Sequence, residues 1–248
     1  HRDLHSFPTR RSSDLKGLLL LTGEGGSGKS YISKIFMKDM TDQGHPVAYI
    51  SNPDLDPTEF LQQILYEFGL EYKNKSKAEL LRILEEFALD VQKRGKLCII
   101  IVDEAQLIQN EKTLEEVRLL LNLEENNRLL FSIVLVGKPS FKEMVQKNPS
   151  VKERTSIQYH IEPLNCRQTG EYIYYRMEKA GCGRELFSSE SIKSIYDFSR
   201  GVPREINNVC DMALLLGYGE NAIVIDRPLI EKAIEDLKGN SIRQKVKA

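Results

Sequence analysis

The chain contains no apolar run approaching the roughly 20 residues that a bilayer-spanning helix requires, so no such helix is expected in it and it reads as soluble. Charge of one sign is missing too. With 35 Lys and Arg against 36 Asp and Glu, the formal net charge is -1, which speaks against binding nucleic acid through overall charge. Local patches stay open, and Arg243, Lys245 and Lys247 make a small basic tail. Cys98, Cys166, Cys182 and Cys210 lack the paired spacing of a metal site. Cys98 and Cys210 fall in apolar segments and read as buried thiols in a reducing compartment. His45 and His160 stand singly, as loop and strand residues rather than ligands, and Tyr172, Tyr174 and Tyr175 read as packing rather than a base-stacking platform. What is present, 41% hydrophobic and 29% charged residues, is the composition of a globular protein.

The stretch Gly23-Glu24-Gly25-Gly26-Ser27-Gly28-Lys29-Ser30 fits the phosphate-cradling pattern G-x-x-x-x-G-K-[ST]. A triphosphate needs several backbone N–H groups turned inward, and a glycine-rich turn lets the chain wrap that closely. Residues 17–22 read as a fully buried strand before the loop. Residues 30–40, with Tyr31, Ile32, Ile35, Phe36 and Met40, read as a helix after it. In that setting the helix N-terminus faces the phosphates, Lys29 reaches the β- and γ-phosphates, and the Ser30 hydroxyl holds magnesium.

A second apolar strand, 97–102, ends in Asp103-Glu104. Asp103 is placed to bind magnesium through water, and Glu104 to orient a water in line with the γ-phosphate. Glu104 favours hydrolysis over phosphoryl transfer to a small acceptor. Downstream, Gly201-Val202-Pro203-Arg204 punctuates two helical segments and leaves Arg204 in the first turn of the second. A cation is disfavoured there, so Arg204 calls for an anion such as phosphate; the plainer reading pairs it with Glu205 or solvent.

The remaining pattern places strands at 47–50, 129–136 and 157–161, with helices over 58–68, 78–93 and 111–125, the charges of the last a solvated face. Strands alternating with helices predict an α/β fold, a P-loop nucleoside triphosphatase with a five-stranded parallel sheet in a three-layer sandwich. Beyond Pro163 the strand pattern nearly stops. Helices over 167–180, 189–199, 203–217 and 227–238, with an extended piece at 222–225, predict a C-terminal helical lid.

In TGEGGSGKS, IIIVDEAQ, 117–124, 133–139, 159–164 and GVPREINNVCDMALL, taken in order over 18–237, the chain resembles the AAA+ ATPases of the general secretion pathway protein A type, which also look like origin-recognition and transposon-accessory ATPases. The resemblance implies an ATP-hydrolysing domain over 16–163 using ATP and Mg2+, a lid over 164–239 and a polar tail over 240–248. It further implies a homo-oligomer in which Arg154 serves as the finger for a neighbouring subunit, with Arg204 as the lid's γ-phosphate sensor. Taken alone, Arg154 is an exposed residue of a charged loop. Where the family usually has Gln, this chain has Lys138: it either neutralises developing charge and keeps the activity, or pairs with Glu104 and holds the site idle.

The family implies a cytoplasmic ATPase, or the cytoplasmic part of a longer membrane-anchored protein, partnered by envelope secretion or pilus-assembly components. The alternative is an ATP-switched, DNA-associated regulator of transposition or replication type. A small-molecule kinase is disfavoured by Glu104 and by the lid. Residues 5–15 read as the translation of a sequencing adapter, so 1–15 is set aside as foreign to the fold and expected to be poorly ordered.

Overall fold

A computed structural model describes residues 17–245, and the expectations for residues 1–15, for Lys247 and for the side chains of Arg243 and Lys245 lie outside what it describes. By contact the chain divides into two units, the second made of Gly26–Gly28 with Glu162–Ala248 and the first of the remainder.

The first unit runs β1 (Gly17–Gly23), α1 (Lys29–Asp42), β2 (Val47–Ile50), α2 (Pro57–Glu67), α3 (Lys77–Lys93), β3 (Cys98–Val102), a 3-10 turn (Ala105–Leu107), α4 (Glu111–Leu120), β4 (Glu124–Glu125), β5 (Arg128–Leu129), β6 (Phe131–Gly137), α5 (Pro139–Lys147), α6 (Pro149–Arg154) and β7 (Thr155–Ile161). Five strands form one parallel sheet in the order β2-β3-β6-β1-β7. Its three central strands are buried throughout, which is why their sequences are nearly unbroken Leu, Ile and Val.

Period-two alternation deals these side chains to two cores. Leu18, Leu20, Ile100, Val102, Ile133 and Leu135 pack with Phe60 and Ile64 of α2 and Leu80 and Leu84 of α3. Leu19, Leu21, Ile99, Ile101, Val134 and Val136 pack with Phe36 and Met40 of α1. Helices thus cover both faces. Because the strands are parallel and in register, the carboxyl ends of β1, β3 and β6 lie along one edge of the sheet. That edge, where β1 leads out to α1 while its sheet neighbours are β6 and β7, is where open α/β sheets place ligands.

The structure corrects the sequence reading in places. The helix expected over 111–125 stops at Leu120, and residues 124–129 form a two-stranded antiparallel hairpin. Asn126 and Asn127 both adopt positive φ, 51° and 58°, the geometry of a two-residue hairpin turn that Asn tolerates better than most residues. Nor is Arg154 in a loop: it is the last residue of α6, a short helix that opens with Pro149 and is capped by Asn148, whose Oδ1 accepts from Val151 N–H at 3.3 Å.

The second unit holds α7 (Cys166–Lys179), α8 (Ser189–Ser199), α9 (Pro203–Gly219) and α10 (Arg227–Lys245), around a core that includes Ile173, Ile195, Ile206, Val209, Ile230 and Ala233. The last helix continues past residue 238, where the sequence pattern had ended it. The extended piece at 222–225 pairs through a single parallel bridge, Phe187 with Ile225. Between α8 and α9, Leu164 N–H donates to Gly201 O at 2.9 Å, and Gly201 has φ +77°. A Cβ there would lie 1.7 Å from Leu164 O. Both the left-handed backbone and the close approach demand glycine. Gly201→Ala is therefore expected to destabilise this unit by at least about 2 kcal/mol, a drop of roughly 10 °C for a domain of its size. Gly219→Ala, with open space around the added methyl, is the control and should melt like the parent in a calorimetric scan.

Candidate functional site

The site starts at the carboxyl end of β1. Gly26 and Gly28 adopt φ +86° and +96°, conformations that let the loop turn its amides inward and that L side chains rarely accept. Ser27 is buried, and its Oγ has no hydrogen-bond partner. An orphaned hydroxyl at the bottom of such a loop is what a polar ligand would satisfy. Lys29 opens α1 and is buried, with Nζ donating to the carbonyls of Gly23 and Glu24, both at 2.9 Å. Burial pushes its pKa below the ordinary lysine value. The carboxylates of Glu104, Asp103 and Glu24 oppose that shift and Lys138 adds to it, so these charges converge on one ammonium. Lys29 and the acidic pair, far apart in sequence, thus lie at one edge of the sheet.

Asp103 continues the parity of Ile99 and Ile101, the residues of β3 that face α1. Its buried carboxylate is held on both oxygens: Oδ2 accepts from Tyr49 O–H and Oδ1 from Glu104 N–H, each at 2.8 Å. Tyr49 in turn lies 3.2 Å from Ser33 Oγ, itself 3.1 Å from the carbonyl of Ser30. Burial pushes the Tyr49 phenol up to about 12, so it remains a donor throughout the neutral range. Sequence reasoning missed Tyr49 and Ser33. Only Ser33, one helical turn past Ser30, had a signal in spacing; Tyr49 stands in register with Ile101 of the acidic strand, a neighbour that the sheet alone supplies.

Glu104 follows with φ 51°, a left-handed turn that ends the strand. Its carboxylate accepts from Gln106 Nε2, and Gln106 Oε1 accepts from Lys138 N–H at 3.0 Å. Of the two roles open to Lys138, pairing with Glu104 is absent from the ion pairs among the described residues, and its side chain is exposed at the end of β6. Arg204 lies in the first turn of α9, where its N–H donates to Gly26 O at 3.2 Å within the second unit. Arg154 is elsewhere. It precedes Thr155, which pairs with Leu18 at the start of β1, so the length of β7, Thr155–Ile161, separates it from the loop end of the sheet. Seven residues of strand are about 20 Å.

His45 is a structural residue: its buried ring accepts from Leu97 N–H at 3.1 Å. His160 Nδ1 lies 2.9 Å from Thr22 Oγ1, one residue before the glycine loop. Burial pushes the Cys98 and Cys210 thiols up to about 12, which leaves them unreactive. No group of three or more metal-type ligands occurs among the described residues. No helix among them is long and apolar enough to cross a membrane.

This geometry has relatives. The chain is 31% identical over 226 residues to general secretion pathway protein A of Aeromonas hydrophila, an alignment covering 90% of this chain and 41% of that one. In structure it is similar to Cdc6p from Pyrobaculum aerophilum (TM-score 0.72, 16% identity, 95% of this chain and 66% of that one). It is also similar to a chain of the Drosophila origin recognition complex bound to DNA (TM-score 0.71, 16% identity, 95% and 59%). The chain spans about two fifths of the length of the secretion protein it matches. The AAA domain family profile covers residues 11–145, from before the glycine loop to beyond Lys138. With the loop, the acidic pair and the parallel sheet in place, that match shows that the chain belongs to the AAA domain family of P-loop ATPases.

Proposed function

We propose that this protein is a magnesium-dependent ATP hydrolase. The observation that carries the reading is that the glycine loop with buried Lys29 follows β1 and the Asp103-Glu104 pair follows β3, at the same edge of one parallel sheet. ATP fits the cradle: Gly23, Glu24, Gly25, Gly26, Ser27 and Gly28 surround the phosphates, the orphaned Ser27 hydroxyl gains a partner, and the Lys29 ammonium gains an anion that offsets its burial. Magnesium fits the hard oxygen donors of Ser30 and Asp103. When bound, it neutralises charge on the β- and γ-phosphates.

The chain's own residues supply the rest. Asp103 is oriented by Tyr49 O–H and by Glu104 N–H, one on each carboxylate oxygen. Glu104 accepts a hydrogen bond from the attacking water and aligns it with the γ-phosphorus; Lys29 holds the terminal phosphates and stabilises the charge that develops on their oxygens. Lys138, exposed at the end of β6, adds positive charge there and retains activity. Arg204 reads the γ-phosphate from the lid. Arg154, about 20 Å from the loop end of its own sheet, serves the site of a second copy, so the active form is a homo-oligomer.

Likeness to general secretion pathway protein A supports work in secretion or pilus-type envelope assembly, in the cytoplasm or as the cytoplasmic part of a longer membrane-anchored protein. The test is phosphate release by the purified protein with and without magnesium and duplex DNA. Magnesium-dependent release indifferent to DNA supports the reading, and strong stimulation by DNA transfers it to a DNA-associated switch. Absence of release at protein concentrations that assemble would overturn hydrolysis. A finer expectation concerns Tyr49→Phe: with its donor gone, half-saturation by magnesium should need about tenfold more metal, read by titration at fixed ATP.

A further inference from the structure

Gln106 has no part in the chemistry assigned above, yet its amide spans two elements of the site. The Glu104 carboxylate can only accept and the Lys138 N–H can only donate, so Nε2 faces the first and Oε1 the second, and the amide has one orientation. The residue sits in the 3-10 turn that follows Glu104. That turn is closed by Leu107 N–H to Glu104 O at 2.8 Å and Ile108 N–H to Ala105 O at 3.1 Å, and it is anchored by the fully buried Ala105. A Cβ on Gly137 would lie 3.0 Å from Gln106 Oε1, so the bare backbone at the end of β6 leaves the amide its room. Gly137 is in register with Thr22, the last residue before the loop's first glycine. Gln106 therefore links the end of β3, the end of β6 and, through β6, the strand that carries the phosphate loop.

We propose that Gln106 is a positioning residue: it fixes the Glu104 carboxylate and ties it to the β6–α5 junction at Lys138, so that the nucleotide state felt beside β1 reaches the residue that orients water. This rests on the reading of Glu104 as the water-orienting group. A carboxylate at the end of a left-handed turn has freedom to swing; one held by a donor from a stiff turn does not.

Three measurements on the full chain test the proposal. Gln106→Ala should lower kcat at least about tenfold while KM for ATP and affinity for a fluorescent ATP analogue stay within about twofold. Gln106→Glu keeps the shape and the acceptor for Lys138 N–H but offers the Glu104 carboxylate no donor, so its kcat should fall as in Gln106→Ala. Hydrogen exchange at the Lys138 amide in nucleotide-free protein should be faster in Gln106→Ala than in the parent or in Gln106→Glu. Unchanged or raised kcat in Gln106→Ala, parallel loss of nucleotide binding, a kcat in Gln106→Glu equal to the parent's, or equal Lys138 exchange in parent and Gln106→Ala overturns the positioning role. If Gln106→Ala does not fold, Gln106→Glu decides through its kcat at unchanged affinity for the ATP analogue. A parent without turnover, or a Glu104→Gln variant that keeps it, overturns the reading of Glu104 and this proposal with it; an active parent, an inactive Glu104→Gln and a fully active Gln106→Ala overturn this proposal alone.

Discussion

Glu104→Gln is expected to leave ATP binding intact and to lower phosphate release at least about a hundredfold, since loss of a positioned general base removes that much in comparable sites. The substitution is nearly isosteric and keeps an oxygen that can accept from Gln106 Nε2. The left-handed backbone at Glu104 and its N–H bond to Asp103 are also retained, so the magnesium-side carboxylate keeps its orientation. What changes is charge and acceptor strength toward water. The variant also loses one of the carboxylates whose field raises the Lys29 pKa. Binding of a fluorescent ATP analogue should therefore stay within a few-fold of the parent while turnover collapses. Undiminished phosphate release by the purified variant would remove Glu104 from its role.

Much of this was legible in sequence because the signals are local and redundant. Apolar runs at 17–22 and 97–102, too short for most helices and each followed by turn or charged residues, fit strands buried on both faces, and the glycine spacing of 23–30 has few other uses. The hairpin at 124–129 was not legible, because Leu121 and Leu123 continue the helical period while the Asn126-Asn127 turn that overrides it occupies two residues. Helix α6 is too short to show a period at all. Gln106 and Tyr49 were missed for another reason. Each acts through hydrogen bonds to residues brought beside it by the assembled sheet, and the position of Tyr49 next to the acidic strand shows only once the order of the strands is known. The idle-site reading of Lys138 assumed a direct ion pair with Glu104, whereas the Glu104 carboxylate meets the Gln106 amide and the link to Lys138 is made by its backbone N–H.

Lys29→Ala should abolish detectable nucleotide binding while leaving the fold intact. In the nucleotide-free protein the Lys29 ammonium is buried, and the direction of its pKa shift means that the fold disfavours its charge. The sign follows directly: a lysine whose folded pKa lies below its unfolded value lowers stability at all pH values below that folded pKa, and the penalty fades as pH rises through it toward the unfolded value. Two carbonyl partners and three carboxylates oppose the cost without reversing the shift. Removing the group thus relieves a desolvation penalty, against the loss of packed methylene stem and of donors to Gly23 O and Glu24 O. Lys29→Met keeps the stem and should melt at or above the parent's temperature at neutral pH. Binding behaves oppositely, because the phosphates lose their one buried cation among the loop residues and the orphaned Ser27 hydroxyl cannot replace it. A fluorescent ATP analogue that binds either variant as tightly as the parent would show that the glycine loop is not the phosphate site. A large fall in the melting temperature of Lys29→Met without nucleotide would show instead that this ammonium is there to hold the fold.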